Sequence, residues 1–178
     1  GFVSIIDHPM IDPLAISAVK EIFLAMDNIK TNETNNFALK KLCYAAFYAG
    51  VVQNHCSVGL THSFAHQLSS YGISHGTANA MFLVPVIEWN SSNSDKYNLL
   101  ATETGYNDLI HFVDKIKTIL KQSSIIPEKK ILKKLINNKN VIVEGAINDI
   151  TFKTNPTVLT QEEVETVFEN TMEYIDNL

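Results

Sequence analysis

Six histidines are spread over 178 residues, and His62, His66 and His75 are spaced to act together. His62 and His66 are four residues apart, which on a helix stacks both rings on one face. His75 follows a break at Gly72 and begins what reads as the next helix, so a helix–helix junction can gather three imidazoles. Imidazole is the commonest protein ligand for transition metals and titrates near neutrality, so the chemistry on offer is metal binding or proton transfer. His8, His55 and His111 stand apart and read as ordinary hydrogen-bonded residues. The segment His62-Ser63-Phe64-Ala65-His66 has the spacing of a zinc-protease motif, but Ser63 stands where the water-activating Glu belongs, which argues against a hydrolase. Gly-x-Gly-x-x-Gly and the P-loop are both absent, so nothing in this chain builds a dinucleotide site by itself.

The elements that must position these residues read as helices. No alternating apolar pattern runs longer than about four residues. Asp12-Pro13 reads as an N-cap and first helical position ahead of Val19, Ile22, Phe23, Met26 and Ile29. The polar run from Thr31 to Asn36 ends that helix, and the next is expected to turn Leu39, Leu42, Ala45, Ala46 and Ala49 inward. A third, from Ser57 to about Tyr71, carries Leu60, Phe64 and Leu68 as well as His62 and His66, with Gly72 as its left-handed stop. The fourth runs from His75-Gly76 to Asn90. Trp89, Phe64, Tyr71 and Phe82 read as packing residues. Ser94 is positioned to cap a short helix, and Asn107 to Lys121 is amphipathic through Leu109, Ile110, Val113, Ile116 and Ile119. Ile126-Pro127-Glu128 opens another helix, with Lys129, Lys130, Lys133 and Lys134 as a solvated face. Val141-Ile142-Val143 has the composition of a short strand between helical flanks. Thr160 and Glu163 form a capping box ahead of Val164, Val167, Phe168, Met172 and Ile175. The expectation is an all-α, bundle-like domain of about seven to nine helices spanning residues 1–178.

Composition narrows the partners. All 14 cationic residues are Lys, against 19 acids, for a net charge of -5. An acidic chain without Arg is poorly suited to duplex nucleic acid. The hydrophobic fraction of 46% is that of a globular protein, and no apolar run approaches the ~20 residues that span a bilayer. The length suffices for a core without disulfides and falls short of the ~250 residues of a TIM barrel. Cys43 and Cys56 form no framework or CxxC motif and fit a reducing, cytoplasmic compartment. The first residue is Gly, which fits a chain that starts inside a longer product.

The stretch Gly59 to Asn90, with Gly-Leu-Thr-His-Ser-Phe-Ala-His-Gln-Leu and then Ile-Ser-His-Gly-Thr-Ala-Asn-Ala, resembles the signature region of the iron-containing alcohol dehydrogenases, which have the dehydroquinate-synthase-like fold. His8-Pro9-Met10-Ile11-Asp12-Pro13-Leu14-Ala15 is similar to that family's Asn-Pro-x-x-Asp-x-Leu-Ala. Thr154-Asn155-Pro156-Thr157-Val158-Leu159-Thr160 is similar to its Thr-Asn-Pro-Arg-Pro-Leu-Thr. The likeness covers nearly the whole chain in order, and departs at Gln67, Ser69 and Ser74, where the family commonly has Pro, Gly and Pro.

The resemblance implies the C-terminal helical half of a two-domain enzyme. The N-terminal half, absent from this chain, would bind NAD or NADP. By motif position His62 and His75 are two ligands of a divalent metal, Fe²⁺ or Zn²⁺, and His66 lies in the cleft beside substrate and cofactor as the catalytic candidate. The remaining Asp and His ligands belong to an Asp-x-x-x-His helix that ends just before the equivalent of Gly1. The implied substrate is a small alcohol or its carbonyl product. The implied partner is the missing domain; without it the cleft-facing surface is exposed, so self-association with a second copy is also expected, and composition points to no nucleic acid or membrane partner. The chain alone is expected to be inactive. The rival expectation, from the residues alone, is a non-catalytic helical interaction module with a structural His cluster.

Overall fold

The structure is a computed structural model and describes residues 1–6, 8–29, 35–123 and 127–178. Among the described residues every regular element is helical. Two antiparallel-reading helices come first, α1 (Asp12–Asn28) and α2 (Asn36–Cys56), and they pair with each other along their length. Asp12 lies inside the first turn of α1. The cap position falls to Ile11, which makes no side-chain cap bond, so the expected Asp12 cap is corrected by one residue. Asn35 caps α2, its Oδ1 accepting from the amides of Phe37 and Ala38 at 3.1 Å each.

The inward face of α2 also differs from expectation. Ala38, Ala45, Val52 and Cys56 are buried, whereas Leu39 is 49% exposed and Ala46 and Ala49 lie open. The reason is the partner: α1 offers Ala18 and Ala25, and close packing selects the small-residue ridge of α2 rather than its bulkiest stripe. Residues 31–34 of the expected helix-breaking run lie outside the described residues, as does Ile126.

The site-bearing helices are α3 (Leu60–Leu68), prolonged by a 3-10 turn over Ser69–Tyr71, and α4 (His75–Ser91). Gly72 closes the turn at φ 81°, the left-handed stop expected there. Ser74 caps α4, its Oγ accepting from the amide of Thr77 at 3.2 Å, so a polar cap replaces the family's common Pro. The next elements are α5 (Lys96–Glu103), α6 (Leu109–Gln122), α7 (Lys129–Asn137), α8 (Lys139–Asn148), a 3-10 turn at Ile150–Thr154, and α9 (Gln161–Asp176).

The cap position of α5 is Asp95 rather than Ser94, and its side chain makes no cap bond. In α6 Ile110 points outward, 71% exposed, while Phe112 and Leu120 join Val113 and Ile116 on the buried face. Residues 141–143 are helical within α8. Ile142, Val143 and Ala146 share its buried face, so tertiary packing overrides their strand propensity. The capping box at Thr160 and Glu163 forms in full, and the five apolar residues expected behind it are buried.

Two apolar clusters result. One joins α3, α4, α8 and α9 around Phe64, Phe82 and Phe168, with the Phe64 and Phe82 rings stacked at 4.3 Å. The other gathers α1, α4 and α6 around Phe23, Val84, Phe112 and Ile116. Helix α4 feeds both and is buried on nearly every side.

A buried amide pair ties the ends of these helices together. Asn155 Nδ2 donates to Asn90 Oδ1 at 2.9 Å, and Asn90 Nδ2 donates to Asn155 Oδ1 at 3.0 Å. The same Asn155 oxygen accepts from the amide of Leu60, the first residue of α3, at 3.2 Å. Gly59 permits this approach, because a Cβ there would sit 2.9 Å from Asn155 Oδ1.

The chain enters this junction through Ser57, at φ 59° and ψ −161°. That conformation belongs almost exclusively to glycine and costs a larger residue about 1–3 kcal/mol. Replacing Ser57 with Gly is therefore expected to raise stability by about 1 kcal/mol after the entropic cost of glycine. Urea denaturation of Ser57→Gly checks this, and a lowered midpoint would contradict it.

Candidate metal centre

His62 and His66 sit on consecutive turns of α3, and His75 is the first residue of α4. The break at Gly72 folds α4 back so that the three rings meet. Their centroids are 5.1 Å apart for His62 and His75, 5.5 Å for His66 and His75, and 6.2 Å for His62 and His66. The sequence-derived trio is thus brought together in space. Among the described residues, however, no group of three or more His, Cys, Asp or Glu is arranged to hold a metal ion.

The hydrogen bonds explain why the trio does not close on one point. His66 directs Nδ1 to Asp149 Oδ2 at 2.8 Å, and His75 Nε2 faces the Asn79 amide nitrogen at 3.1 Å. The His62–His75 pair nonetheless has the right span. Two imidazoles sharing one ion at about 2.1 Å with a tetrahedral angle place their ring centroids about 5 Å apart.

At His62 the electrostatics favour the neutral ring that ligation requires. His62 is pushed down from 6.5 to about 4, first by burial and then by the neighbouring charges of His75 and His66. Asp149 is the carboxylate in contact with the cluster. Burial would raise its pKa, but hydrogen bonds from Thr151 and His66 prevail and hold it below the ordinary value. Beside the cluster, Asn79 donates to the His75 carbonyl at 2.9 Å while its buried Oδ1 has no partner among the described residues.

An apolar cavity of about 570 Å³ adjoins the site. It lies between α1, α4 and α6, with Val19, Leu83 and Ile116 among its walls, and it reaches Thr61, His62 and Asn79 at one end and Gly1 to Ser4 at its edge.

The other histidines remain apart from the cluster. His8 and His55 meet edge to face at 5.9 Å, and His111 binds Asp108 at 2.8 Å on the surface. The four lysines of α7 are exposed, as expected of a solvated face. Cys43 is exposed and Cys56 is buried. Asp149, Thr151 and Asn79 were not singled out from the sequence. Asp149-Ile150-Thr151, an acidic cap just ahead of the Thr154-Asn155-Pro156 match, is the signal that marks the first two.

Because His62 resists protonation when folded, the unfolded chain binds the extra proton. Stability from this group is full above about pH 6.5 and is lost as pH falls toward 4. Thermal unfolding across that range should show a falling midpoint, with a smaller drop in His62→Asn. An unchanged slope in the variant would contradict the assignment.

Residues 1–172 match the Fe-containing alcohol dehydrogenase family, C-terminal. The NADPH-dependent butanol dehydrogenase of Clostridium saccharobutylicum is 29% identical over 181 residues, covering 95% of this chain and 46% of that protein. Alcohol dehydrogenase 4 of Schizosaccharomyces pombe is 29% identical over 182 residues, covering 97% of this chain and 42% of that protein. Among solved structures, the alcohol dehydrogenase from Oenococcus oeni superposes with a TM-score of 0.84 at 24% identity, over 96% of this chain and 47% of that one. The iron-containing alcohol dehydrogenase from Thermococcus thioreducens superposes with a TM-score of 0.81 at 24% identity, over 97% and 46%. The chain thus spans about half the length of the relatives it matches. With its fold and nearly all of its residues accounted for by that match, this chain belongs to the Fe-containing alcohol dehydrogenase family as a C-terminal domain.

Proposed function

We propose that this chain is the metal-holding half of an NAD(P)-linked alcohol dehydrogenase that oxidises a small alcohol or reduces the corresponding carbonyl. The observation that carries this is the His62–His75 pair, 5.1 Å between ring centroids, with His66 beside it on the same helix junction. His62 and His75 would hold a divalent ion, Fe²⁺ or Zn²⁺. When bound, the ion supplies Lewis-acid polarisation of the substrate oxygen and the nicotinamide supplies the hydride acceptor. The chain's own contribution is to keep His62 neutral and half-buried at one side of the site and to present His66 at its open edge.

Two imidazoles are half of a four-coordinate shell. The remaining ligands, by resemblance an Asp and a His four residues later, belong to protein outside these 178 residues. The cavity supports this. A half-open apolar cavity of about 570 Å³ beside His62 exposes apolar walls that further protein would cover. An apolar helix entering at Gly1 to Ser4 would fill that space and bring its polar ligands to His62. The nucleotide site is likewise assigned to the missing half. Phe37, Tyr44 and Phe47 on α2, between 43% and 69% exposed, form an apolar face suited to further protein contacts.

Calorimetric titration of the 178-residue chain with Zn²⁺ should give binding far weaker than nanomolar, lost in the His62→Ala, His75→Ala double variant. Nanomolar affinity would overturn the incomplete shell, and binding unaffected by the double variant would overturn the ligand assignment. The chain alone should not turn over 1-butanol with NAD or NADP. Joined to a nucleotide-binding half, it should do so in a chelator-sensitive way, and His62→Ala should lower activity by about 100-fold or more. Full activity in that variant, or none with any small alcohol or aldehyde, would favour the non-catalytic module instead.

A further inference from the structure

His66 is held by a closed chain of hydrogen bonds that leaves α3 and returns to it. Its Nδ1 lies 2.8 Å from Asp149 Oδ2. The other carboxylate oxygen, Asp149 Oδ1, accepts from the Thr151 amide at 2.9 Å and from the Thr151 hydroxyl at 2.7 Å. Thr151 Oγ1 lies 2.9 Å from Ser63 Oγ, fully buried on α3 one turn before His66. The single Thr151 proton goes to the carboxylate, which can only accept. Ser63 therefore donates to Thr151, in preference to the Gly59 carbonyl at 3.3 Å.

Asp149 is thereby fixed before His66 meets it. Its side chain is 14% exposed against 41% for His66, so the carboxylate is the anchored member and the ring the open one. An ionised carboxylate accepts hydrogen bonds and cannot donate them, so His66 Nδ1 must carry the hydrogen. The neutral ring then has its lone pair on Nε2. Among the described residues Nε2 makes no hydrogen bond.

We propose that Asp149 is a positioning residue that locks His66 in the Nδ1–H tautomer and orients it, leaving Nε2 as the hydrogen-bond acceptor offered to a substrate hydroxyl at the His62–His75 site. The offer to a substrate rests on the function proposed above, whereas the tautomer lock depends only on this chain. The lock is specific to a carboxylate. In Asp149→Asn the two Thr151 donors keep the amide oxygen at the Oδ1 place, so the amide NH₂ takes the Oδ2 place and donates to His66 Nδ1. The hydrogen is then driven to Nε2, and the acceptor facing the site is lost. The cap acceptor for Thr151 survives, so the fold is retained.

The test is imidazole ¹⁵N NMR of the labelled 178-residue chain at neutral pH, with thermal melts as the folding control. The expected result is a protonated Nδ1 and bare Nε2 at His66 in the wild type, reversed in Asp149→Asn at an essentially unchanged melting midpoint. Thr151→Val, which removes the hydroxyl but leaves the carboxylate and the cap amide, should keep the Nδ1–H form. A wild-type His66 protonated on Nε2 overturns the lock, as does an Asp149→Asn variant that keeps Nδ1–H. When the chain is joined to its nucleotide-binding half, Asp149→Asn should lower kcat by about tenfold or more with KM moved much less. An unaltered kcat despite tautomer reversal overturns the offer to substrate. Absence of any alcohol activity in the wild-type joined protein overturns the proposed function and leaves the lock standing.

Discussion

The buried Asn90–Asn155 amide pair is the constraint on which the site geometry depends. The two residues are 1% and 4% exposed, and each amide supplies both a donor and an acceptor to the other. Asn155 reaches further, to the first amide of α3 and to the Thr157 carbonyl at 2.8 Å, and Asn90 also donates to the Tyr97 hydroxyl at 3.2 Å. Leaving any of these groups unpaired would cost about 1–3 kcal/mol, so the network acts as a unit. It joins the start of α3, the end of α4 and the chain just beyond the 3-10 turn. The first of these carries His62 and His66, the last follows the turn that Asp149 caps, and His75 stands at the opposite end of α4.

Around that clamp, local devices fix each histidine in turn. Gly72 reverses the chain after α3, and Ser74 starts α4 at His75. The stacked Phe64 and Phe82 rings lie on the inner faces of the same two helices that carry the histidines on their outer ones. Packing of the core therefore sets the separation of the imidazoles. A rigid frame of this kind is what a site needs if its side chains are to meet an ion or substrate without reorganising.

The site is also electrostatically lopsided. Among the described residues three imidazoles gather with one carboxylate, Asp149, which is committed to His66 and Thr151. His62 meets its neighbours only as a neutral ring.

Much of this was legible in the residues. Helical periodicity, the Gly72 stop, the Thr160–Glu163 capping box and the i, i+4 histidines depend on neighbours within a turn or two, so sequence alone determined the all-helical class and the candidate trio. What lay beyond it required contacts distant along the chain. The alanine ridge of α2 was decided by the alanines of α1, and residues 141–143 became helical because α3 and α9 bury one face of α8. Asp149 could be seen as a cap, but its hold on His66 spans 83 positions of sequence. The tautomer of His66 and the incomplete closure of the histidine trio were therefore decided by tertiary structure, because a side chain's hydrogen-bond partner is set by distance in space and not by spacing along the chain.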